Sequence, residues 1–157
     1  MSRDGATARD GAAAEGPVET IRLARSDAEI LRCFPVLWQL RTHLRESDFV
    51  DTIRRQQASG YLLAYLESDG SVRAVAGYRF IDNLYSGRLL YVDDLSTDQA
   101  VRSRGHGGRL FDWLGERARE EGCKTLELDS GVQRFDAHRF YLTRRMEIAS
   151  HHFRLKL

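Results

Sequence analysis

The stretch that decides the fold runs from Leu95 to Leu110 and reads LSTDQAVRSRGHGGRL. An apolar strand ends, a basic turn follows, and three glycines open a segment of helical periodicity. Backbone N–H groups at a helix N-terminus attract phosphate because they are unpaired and carry the positive end of the helix dipole. Gly105, Gly107 and Gly108 bring that backbone close to an anion, since no Cβ stands in the way. We therefore predict a phosphate-binding loop; glycines needed for packing alone are the alternative.

Arginines surround the predicted loop. Arg102, Arg104 and Arg109 supply guanidinium donors for charge-assisted hydrogen bonds to phosphate oxygens. Arginine also dominates the whole chain, because Lys124 and Lys156 are the only lysines among its 24 basic residues. A surface built for fork-like binding of phosphates or carboxylates is one interpretation, and the codon usage of a GC-rich genome is the other. We assign the arginines near the loop to phosphate binding and attribute the remaining ones to codon usage.

Hydrophobic periodicity on both sides of the loop predicts one α/β domain over residues 18–157. The expected strands are Glu19–Ala24, Tyr61–Glu67, Val72–Phe80, Leu89–Thr97, Thr125–Asp129 and Met146–Leu157. The expected helices are one capped by Ser26 and interrupted at Pro35, one from Ser47 or Asp48 to Gln57, and two over Gly105–Glu121 and Arg134–Thr143. The Asp69-Gly70 pair predicts a tight hairpin between the second and third strands.

Composition limits the functional classes. The chain has 157 residues, 42% of them hydrophobic, and a formal net charge of +1. These values predict a folded domain without the strong field that binds nucleic acid or an anionic membrane, and no apolar run approaches the roughly 20 residues of a membrane span. Residues 1–17 lack periodicity and are expected to form a disordered leader. Cys33 and Cys123 have no pair-like spacing, so we expect reduced thiols and a cytoplasmic protein.

Two motifs resemble those of one enzyme superfamily. The segment Arg102-Ser-Arg-Gly-His-Gly107 follows the pattern [RQ]-x-x-G-x-[GA], and Ala137-His-Arg-Phe-Tyr141 lies at the family's separation downstream. Together they make the region from Glu19 to Leu157 similar to the GNAT superfamily of acyl-CoA-dependent N-acetyltransferases. The resemblance implies a mixed, mostly antiparallel central sheet flanked by helices, in which the strands Leu89–Thr97 and Thr125–Asp129 splay apart.

The same resemblance implies acetyl-CoA as co-substrate and no metal. Its pantetheine arm would lie between the two splayed strands, and its pyrophosphate on the loop. The residues expected to bind it are Leu95, Ser96, Thr97, Arg102, Ser103, Arg104, Gly105, His106, Gly107, Gly108 and Arg134. The sequence departs from the family pattern mildly at Thr97 and Gln99, where Val and Pro are common, and more strongly at two further positions. Arg134 replaces a frequent Asn, and Arg145 replaces a helix-ending Gly, at a cost of about 1 kcal/mol if it adopts left-handed geometry.

Amide formation from an ammonium ion needs a base for the nitrogen and an acid for the leaving thiolate. Tyr141 occupies the family's acid position, and phenol and thiol have neighbouring reference pKa values of roughly 10 and 8.5. Asp93 and Asp94 interrupt an apolar strand and are the candidate base or base-positioning pair. Strand alternation points them to opposite faces, although a bulge would remove that parity. An ion pair with arginine at the strand edge is the alternative to a role in the cleft.

The histidines are secondary candidates. His106 lies inside the loop and is expected to point to solvent, whereas His138 shares a helix face with Tyr141 and is a candidate proton relay or CoA contact. His151 and His152 are neighbours on a predicted strand and face opposite sides, which suits a structural role better than a zinc site. Four aromatic residues are candidates for the wall of an acceptor pocket or for the core: Tyr61, Tyr78, Phe80 and Tyr85.

The region Asp129–Leu157, with its R-x-DAHRFYL and S-H-H-F, more narrowly resembles bacterial aminoalkylphosphonate acetyltransferases and aminoglycoside-type relatives. We therefore expect direct transfer of an acetyl group to a primary amine of a small molecule, without an acyl-enzyme. A non-catalytic acyl-CoA sensor and a protein lysine or N-terminal acetyltransferase are the alternatives. A homodimer through Met146–Leu157 is expected by fold analogy alone.

Overall fold

The computed structural model describes residues 18–157, and the leader expected over residues 1–17 lies outside them. In chain order the elements are β1 (Glu19–Leu23), α1 (Asp27–Trp38), α2 (Glu46–Ala58), β2 (Leu62–Ser68), β3 (Ser71–Asn83), β4 (Gly87–Thr97), a short 3-10 helix (Gln99–Val101), α3 (His106–Glu120), β5 (Thr125–Leu128) and α4 (Phe135–Thr143). The first five predicted strands are present, and so are the helices at the loop and before the C-terminal segment.

The five strands form one sheet in the order β1-β2-β3-β4-β5. The first four are antiparallel neighbours, and β5 runs parallel to β4. The β4–β5 pairing covers only Leu89–Val92 opposite Thr125–Leu128. Because β4 continues to Thr97 while β5 ends at Leu128, one edge of Asp93–Thr97 has no strand beside it among the described residues. The sheet is therefore mixed and mostly antiparallel, as predicted, with a gap between β4 and β5.

Helices cover both faces of this sheet. On the face of α1 and α2, Phe49 and Tyr65 belong to one buried cluster, and on the face of α3, Leu114 belongs to a second. Full removal of such a side chain from water contributes roughly 1.5–3 kcal/mol. α4 lies on the α3 face, where Phe140 packs edge-on against Phe111 with 5.7 Å between ring centroids. Within residues 18–157, every helix is too short or too polar to cross a membrane.

Local signals set the hairpin and the first helix where the sequence predicted them. In the β2–β3 turn, Asp69 and Gly70 have φ values of 51° and 74°, the doubly left-handed geometry of a tight hairpin. At the start of α1, the Ser26 hydroxyl accepts from the Glu29 N–H, and the Glu29 carboxylate accepts from the Ser26 N–H at 2.9 Å. Backbone hydrogen bonds, led by the one from Ser26, lower the pKa of Glu29 to about 2. Both predictions are confirmed.

The predicted interruption of the first helix is wrong. α1 runs through Pro35 to Trp38 without a break. Val36 and Leu37, which are 3% and 2% exposed, hold this last turn against the core. Pro35 lies on the exposed side, where solvent can satisfy the carbonyl that loses its usual N–H donor. Tertiary burial therefore outweighs the local preference of proline.

The predicted start of α2 is displaced. The helix begins at Glu46 after Arg45, which makes no side-chain capping hydrogen bond. Asp48, a candidate cap, instead accepts a hydrogen bond from the Arg45 guanidinium at 2.6 Å. Ser47 and Asp48 are thus first-turn residues, where a carboxylate still interacts favourably with the helix dipole.

The strand predicted at Met146–Leu157 is absent. This segment has no regular secondary structure, and its only backbone hydrogen bond to the described residues joins the Met146 N–H to the Tyr141 carbonyl at 3.2 Å. Phe153 and Leu155, whose alternation suggested the strand, are 90% and 83% exposed. A strand requires a neighbour that pairs with its backbone groups, and beyond Met146 no backbone group of this segment pairs with another in the described part of the chain.

Arg145 ends α4 in the left-handed region, with a φ of 61°. We expect Arg145→Gly to raise the free energy of unfolding by about 1 kcal/mol, because glycine adopts this φ without a Cβ penalty. Urea unfolding measures the change. Arg139→Gly, in the exposed interior of the same helix, is the control and should lower stability by about 1 kcal/mol. An Arg145→Gly protein no more stable than the parent contradicts the expectation.

Candidate active site

The predicted phosphate loop connects β4 to α3. Ser103 and Gly105 take left-handed φ values of 66° and 84°, and Gly105 is the N-cap of α3 without a side-chain hydrogen bond. The backbone N–H groups of residues 105–108 donate to no backbone acceptor in the described part of the chain. They remain available to an anion, and the dipole of α3 adds positive potential at the same place.

Two glycines of the loop are in close contact with neighbouring side chains. A Cβ at Gly107 would overlap the hydroxyl of Thr97, and a Cβ at Gly108 would overlap the guanidinium of Arg144. The Arg144 Nε lies 3.6 Å from an Asp112 carboxylate oxygen, an ion-pair distance too long for a hydrogen bond. Arg144 therefore adds positive charge at the glycine loop, and no sequence motif indicated it.

Two loop residues point elsewhere than predicted. His106, expected at the surface, is 7% exposed, and its Nδ1 lies 3.0 Å from a Glu19 carboxylate oxygen in β1. The Arg109 guanidinium donates to the same carboxylate at 2.6 Å, so Glu19 rather than phosphate binds it. Glu19 thus ties the first turn of α3 to β1. Arg102 and Arg104 are exposed, as phosphate donors need to be.

The last residues of β4 have different side-chain environments. Leu95 packs against the α3-face cluster, and the buried Ser96 hydroxyl donates to the Val36 carbonyl of α1 at 3.0 Å. The Thr97 side chain lies beside Gly107. The backbones of these three residues pair with β3 on one side, and their other side faces the gap beyond β5. That free edge offers N–H and C=O groups to an extended, amide-bearing ligand.

A bulge in β4 places both candidate carboxylates on one face. Gly77 of β3 pairs with Asp94 and Tyr78 pairs with Val92, so Asp93 is the extra residue. An extra residue breaks the alternation of side chains along a strand. Strict strand alternation, which would put them on opposite faces, does not hold here, and the bulge considered as its alternative is present. Asp93 and Asp94 both contact side chains on the α1/α2 face.

Each of these carboxylates is bound by an arginine. Asp94 accepts hydrogen bonds from the Arg41 Nε at 2.7 Å and the Tyr61 hydroxyl at 2.9 Å. Asp93 accepts one from the Arg79 Nε at 2.9 Å. Burial and the Asp94 charge raise the pKa of Tyr61 well above its usual value, so this hydroxyl stays a donor. The ion pair considered as an alternative from the sequence is thus present at both positions, and its arginines come from elements that no motif marked.

Gly77 makes room for the buried tyrosine of this network. A Cβ at Gly77 would overlap the hydroxyl of Tyr61, which is 3% exposed. Of the other aromatic candidates, Tyr78 and Phe80 pack in the α3-face cluster, and Tyr85 is 94% exposed. Tyr61 alone of the four contacts a candidate catalytic side chain.

Tyr141 lies across the sheet from these carboxylates, on α4. Its ring packs near Phe111 of α3, with 6.3 Å between centroids. Burial raises the pKa of Tyr141, the positive charge of Arg134 acts in the opposite direction, and no hydrogen bond contributes. His138, on the same helix, is not a partner of Tyr141, because its Nε2 lies 2.9 Å from the Gly131 carbonyl oxygen. The Tyr141 hydroxyl is therefore protonated at neutral pH and free to donate.

The cysteines offer no nucleophile to the site. Both are free thiols, and burial raises the pKa of Cys33 to about 12 and that of Cys123 above its usual value. A thiol that stays protonated is a weak nucleophile at neutral pH. Among residues 18–157, no group of three or more His, Cys, Asp or Glu side chains is placed to hold a metal ion.

The arrangement fits the parts of a CoA thioester. Unpaired N–H groups at residues 105–108 suit a pyrophosphate, and the crowded Gly107 leaves no room for a Cβ in that cradle. The free edge of Asp93–Thr97 suits an amide-bearing arm. Tyr141 on one face and the two carboxylates on the other provide proton-donating and cation-attracting groups on either side of the gap.

Comparison with known proteins identifies the family. Residues 27–146 match the Acetyltransferase (GNAT) family. A Bacillus subtilis strain 168 protein, Uncharacterized N-acetyltransferase YhdJ, is 33% identical over 117 residues, which cover 74% of this chain and 82% of that protein. Aminoalkylphosphonate N-acetyltransferase of Salmonella typhimurium strain LT2 is 37% identical over 51 residues, which cover 32% of this chain and 33% of that protein.

The fold is also that of solved acetyltransferases. Aminoglycoside N-acetyltransferase AAC(6')-Iy, solved in complex with CoA, matches with a TM-score of 0.79 and 13% identity over 92% of this chain and 98% of that one. At this identity the likeness shows a shared fold and nothing of the acceptor. The family match covers α1 to the end of α4, and so includes the glycine loop and the gap between β4 and β5. The chain therefore belongs to the GNAT family of N-acetyltransferases, whose acetyl donor is acetyl-CoA.

Proposed function

We propose that this protein transfers an acetyl group from acetyl-CoA directly to a primary amine of a small molecule. The observation that carries the proposal is the phosphate loop next to the free edge of β4, whose bulge turns two carboxylates toward one face. Carboxylates at that position attract an ammonium ion. The name of the Salmonella relative, Aminoalkylphosphonate N-acetyltransferase, supports a small amine as acceptor.

We assign acetyl-CoA binding to three parts of the chain. The N–H groups of residues 105–108 would hold the pyrophosphate, with the side chains of residues 102–104 and Arg144 beside them. The backbone of Leu95–Thr97 would pair with the pantetheine amides. Arg134, exposed at the start of α4, would contact the same ligand. Acetyl-CoA supplies the acetyl group as a thioester.

The reaction requires two kinds of proton transfer: the acceptor nitrogen loses protons, and the leaving sulfur gains one. The acceptor's ammonium nitrogen loses a proton, and its lone pair forms the N–C bond while the C–S bond breaks. Tyr141, kept protonated by burial, gives its proton to the leaving sulfur. The nitrogen loses a second proton as the amide forms, which balances the one from Tyr141. The net products are an amide, a thiol and one proton.

Asp93 and Asp94 act in this scheme by positioning the ammonium ion. Both are candidate bases from the sequence. Both oxygens of Asp94 accept hydrogen bonds, from Arg41 and Tyr61, whereas Asp93 accepts one on Oδ2 from Arg79. A base role for either carboxylate would require breaking its ion pair with arginine. The Asp93 Oδ1, which has no hydrogen-bond donor among the described residues, would accept a hydrogen bond from the ammonium group of the acceptor on the α1/α2 face.

A panel of acceptors tests the proposal. We expect thiol release from acetyl-CoA with at least one small primary amine, at a rate clearly above that of acetyl-CoA alone. The panel contains aminoalkylphosphonates, aminoglycosides and polyamines, together with peptides that carry a free N-terminal alanine or an internal lysine. Mass spectrometry identifies the acetylated product.

Two results contradict the proposal. Tight binding of acetyl-CoA without thiol release to any acceptor indicates a sensor, and release with the peptides alone indicates a protein acetyltransferase. The proposal requires a small amine to outperform both peptides in kcat/KM.

A further inference from the structure

Three side chains from distant parts of the chain meet where β4 and β5 part. The Tyr91 hydroxyl of β4 donates to the Asp129 Oδ2 at 2.6 Å. The Nδ1 of His152, in the C-terminal segment, lies 3.1 Å from the same oxygen. The sequence did not predict a contact among these three residues, and it indicated only a structural role for His152. The cluster needs an explanation because it fixes an exposed imidazole at the mouth of the gap.

The cluster lies at the point where the pairing of β4 and β5 ends and the gap between them begins. Val92 and Leu128 form the last β4–β5 pair, so Tyr91 lies just before the gap and Asp129 directly after β5. Tyr91 pairs with Arg79, whose side chain contacts Asp93. The cluster therefore continues the surface of the two positioning carboxylates on the α1/α2 face.

The hydrogen bonds define which imidazole nitrogen is free. A carboxylate only accepts hydrogen bonds, so the His152 Nδ1 carries the proton shared with Asp129, and the Nε2 keeps its lone pair in the neutral ring. Burial and the hydrogen bond to Asp129 raise the pKa of Tyr91, so its hydroxyl remains a donor that holds the carboxylate in place.

We propose that His152 is the general base that takes the proton from the acceptor's ammonium group, oriented by Asp129 and Tyr91. The proposal rests on the proposed transfer to a small amine. The N–H bond of the ammonium ion breaks, the proton moves to the His152 Nε2, and the nitrogen lone pair attacks the thioester carbonyl. The side chain is 54% exposed, so the imidazolium returns the proton to solvent after each turnover.

The charged groups around His152 are consistent with this role. Among the described residues, Asp129 is in direct contact and Tyr91 acts through it, while His151 and Arg154 flank it along the chain. Beyond Tyr91 lies Asp93, which is ion-paired with the Arg79 guanidinium. The nearest fixed charge is thus the Asp129 carboxylate, on the Nδ1 side of the ring.

The test compares His152→Ala with the matched control His151→Ala, using the small amine that the panel identifies. General-base catalysis contributes typically 10²–10⁴-fold, so we expect kcat/KM of His152→Ala to fall by about 100-fold at neutral pH. Its Kd for acetyl-CoA should stay within about twofold, since the base contacts the acceptor. His151→Ala should match the parent, and Asp129→Asn should fall between the two.

The pH profile separates a base from a structural residue. Without His152, only acceptor that arrives as free amine reacts, so the deficit should shrink as pH rises toward the pKa of the amine. A deficit that is the same at every pH, an equal loss in His151→Ala, or an unchanged kcat/KM in His152→Ala overturns the assignment. A parent protein that acetylates no small amine overturns the proposed function and this inference together, whereas an active parent matched by His152→Ala overturns this inference alone.

Discussion

The Gly107→Glu protein is expected to bind acetyl-CoA at least about 100-fold more weakly than the parent. A Cβ at this position would overlap the Thr97 hydroxyl, and the added carboxylate would compete with the pyrophosphate for the free N–H groups of residues 105–108. Each lost hydrogen bond to a charged group costs about 1.5–3 kcal/mol, and about 1.4 kcal/mol corresponds to a tenfold change in Kd. Titration calorimetry with acetyl-CoA measures the effect.

Gly115→Glu is the matched control for this substitution. Gly115 lies on the same helix, and a Cβ there would have only the end of the Arg119 side chain at 3.7 Å. We expect this variant to bind acetyl-CoA like the parent. Gly107→Ala separates crowding from charge, because it adds the Cβ without the carboxylate. Thermal unfolding of each variant verifies that the loss of binding occurs in a folded protein.

The acetyl-CoA affinities and unfolding temperatures of these variants show whether the loop binds phosphate or whether its glycines are needed only for packing. If Gly107→Glu binds acetyl-CoA as the parent does, the assignment of the loop is wrong. If Gly107→Ala loses as much affinity as Gly107→Glu and also unfolds at lower temperature, the glycine is needed for packing against Thr97. A loss that is clearly greater for Gly107→Glu, in a folded protein, supports the pyrophosphate site.

Features that depend on neighbouring residues in the chain were predictable from the sequence. The Asp69-Gly70 turn needs two left-handed residues, and these two adopt that geometry best. The capping box needs only Ser26 and Glu29, three residues apart. The glycine loop follows the same logic, since its unpaired N–H groups are a property of any helix start.

Features that depend on distant partners were not predictable. The bulge that puts Asp93 and Asp94 on one face is a mismatch of register between β4 and β3, and neither strand encodes it alone. Arg144 reaches Gly108 from another helix. The segment Met146–Leu157 carries strand-like alternation, yet no strand edge pairs with it in the described part of the chain.

The candidate site likewise contains residues that a local motif predicted and residues whose contacts depend on distant parts of the chain. The sequence pointed to Tyr141 through its motif, whereas the arginines that bind the two aspartates and the contact of His152 with Asp129 depend on tertiary packing. The residues that we propose for the acetyl-donor side are therefore the ones that local motifs indicated. The acceptor side that we propose combines β4, the end of β5 and the C-terminal segment, and inferring it required the structure.

The Tyr141→Phe protein is expected to lose about 10- to 100-fold in kcat while its Kd for acetyl-CoA stays within about twofold. Phenylalanine keeps the ring that packs near Phe111 and removes only the hydroxyl. Burial raises the pKa of this hydroxyl, so the parent holds it protonated at neutral pH and ready to donate to the leaving thiolate. Steady-state kinetics with the best amine of the panel, together with calorimetry, measure the two quantities.

Tyr85→Phe is the matched control, since it removes the same atom from a tyrosine that is 94% exposed, and it should leave kcat unchanged. The split between kcat and Kd decides the role of Tyr141. A proton donor acts after the thioester is bound, so its loss slows turnover without weakening binding. Equal losses in kcat/KM and in affinity would make Tyr141 a binding residue, and an unchanged kcat would remove it from the acid role. The deficit should also shrink when the leaving thiol is more acidic, because a better leaving group needs less help from a proton, and a packing defect would not respond to that change.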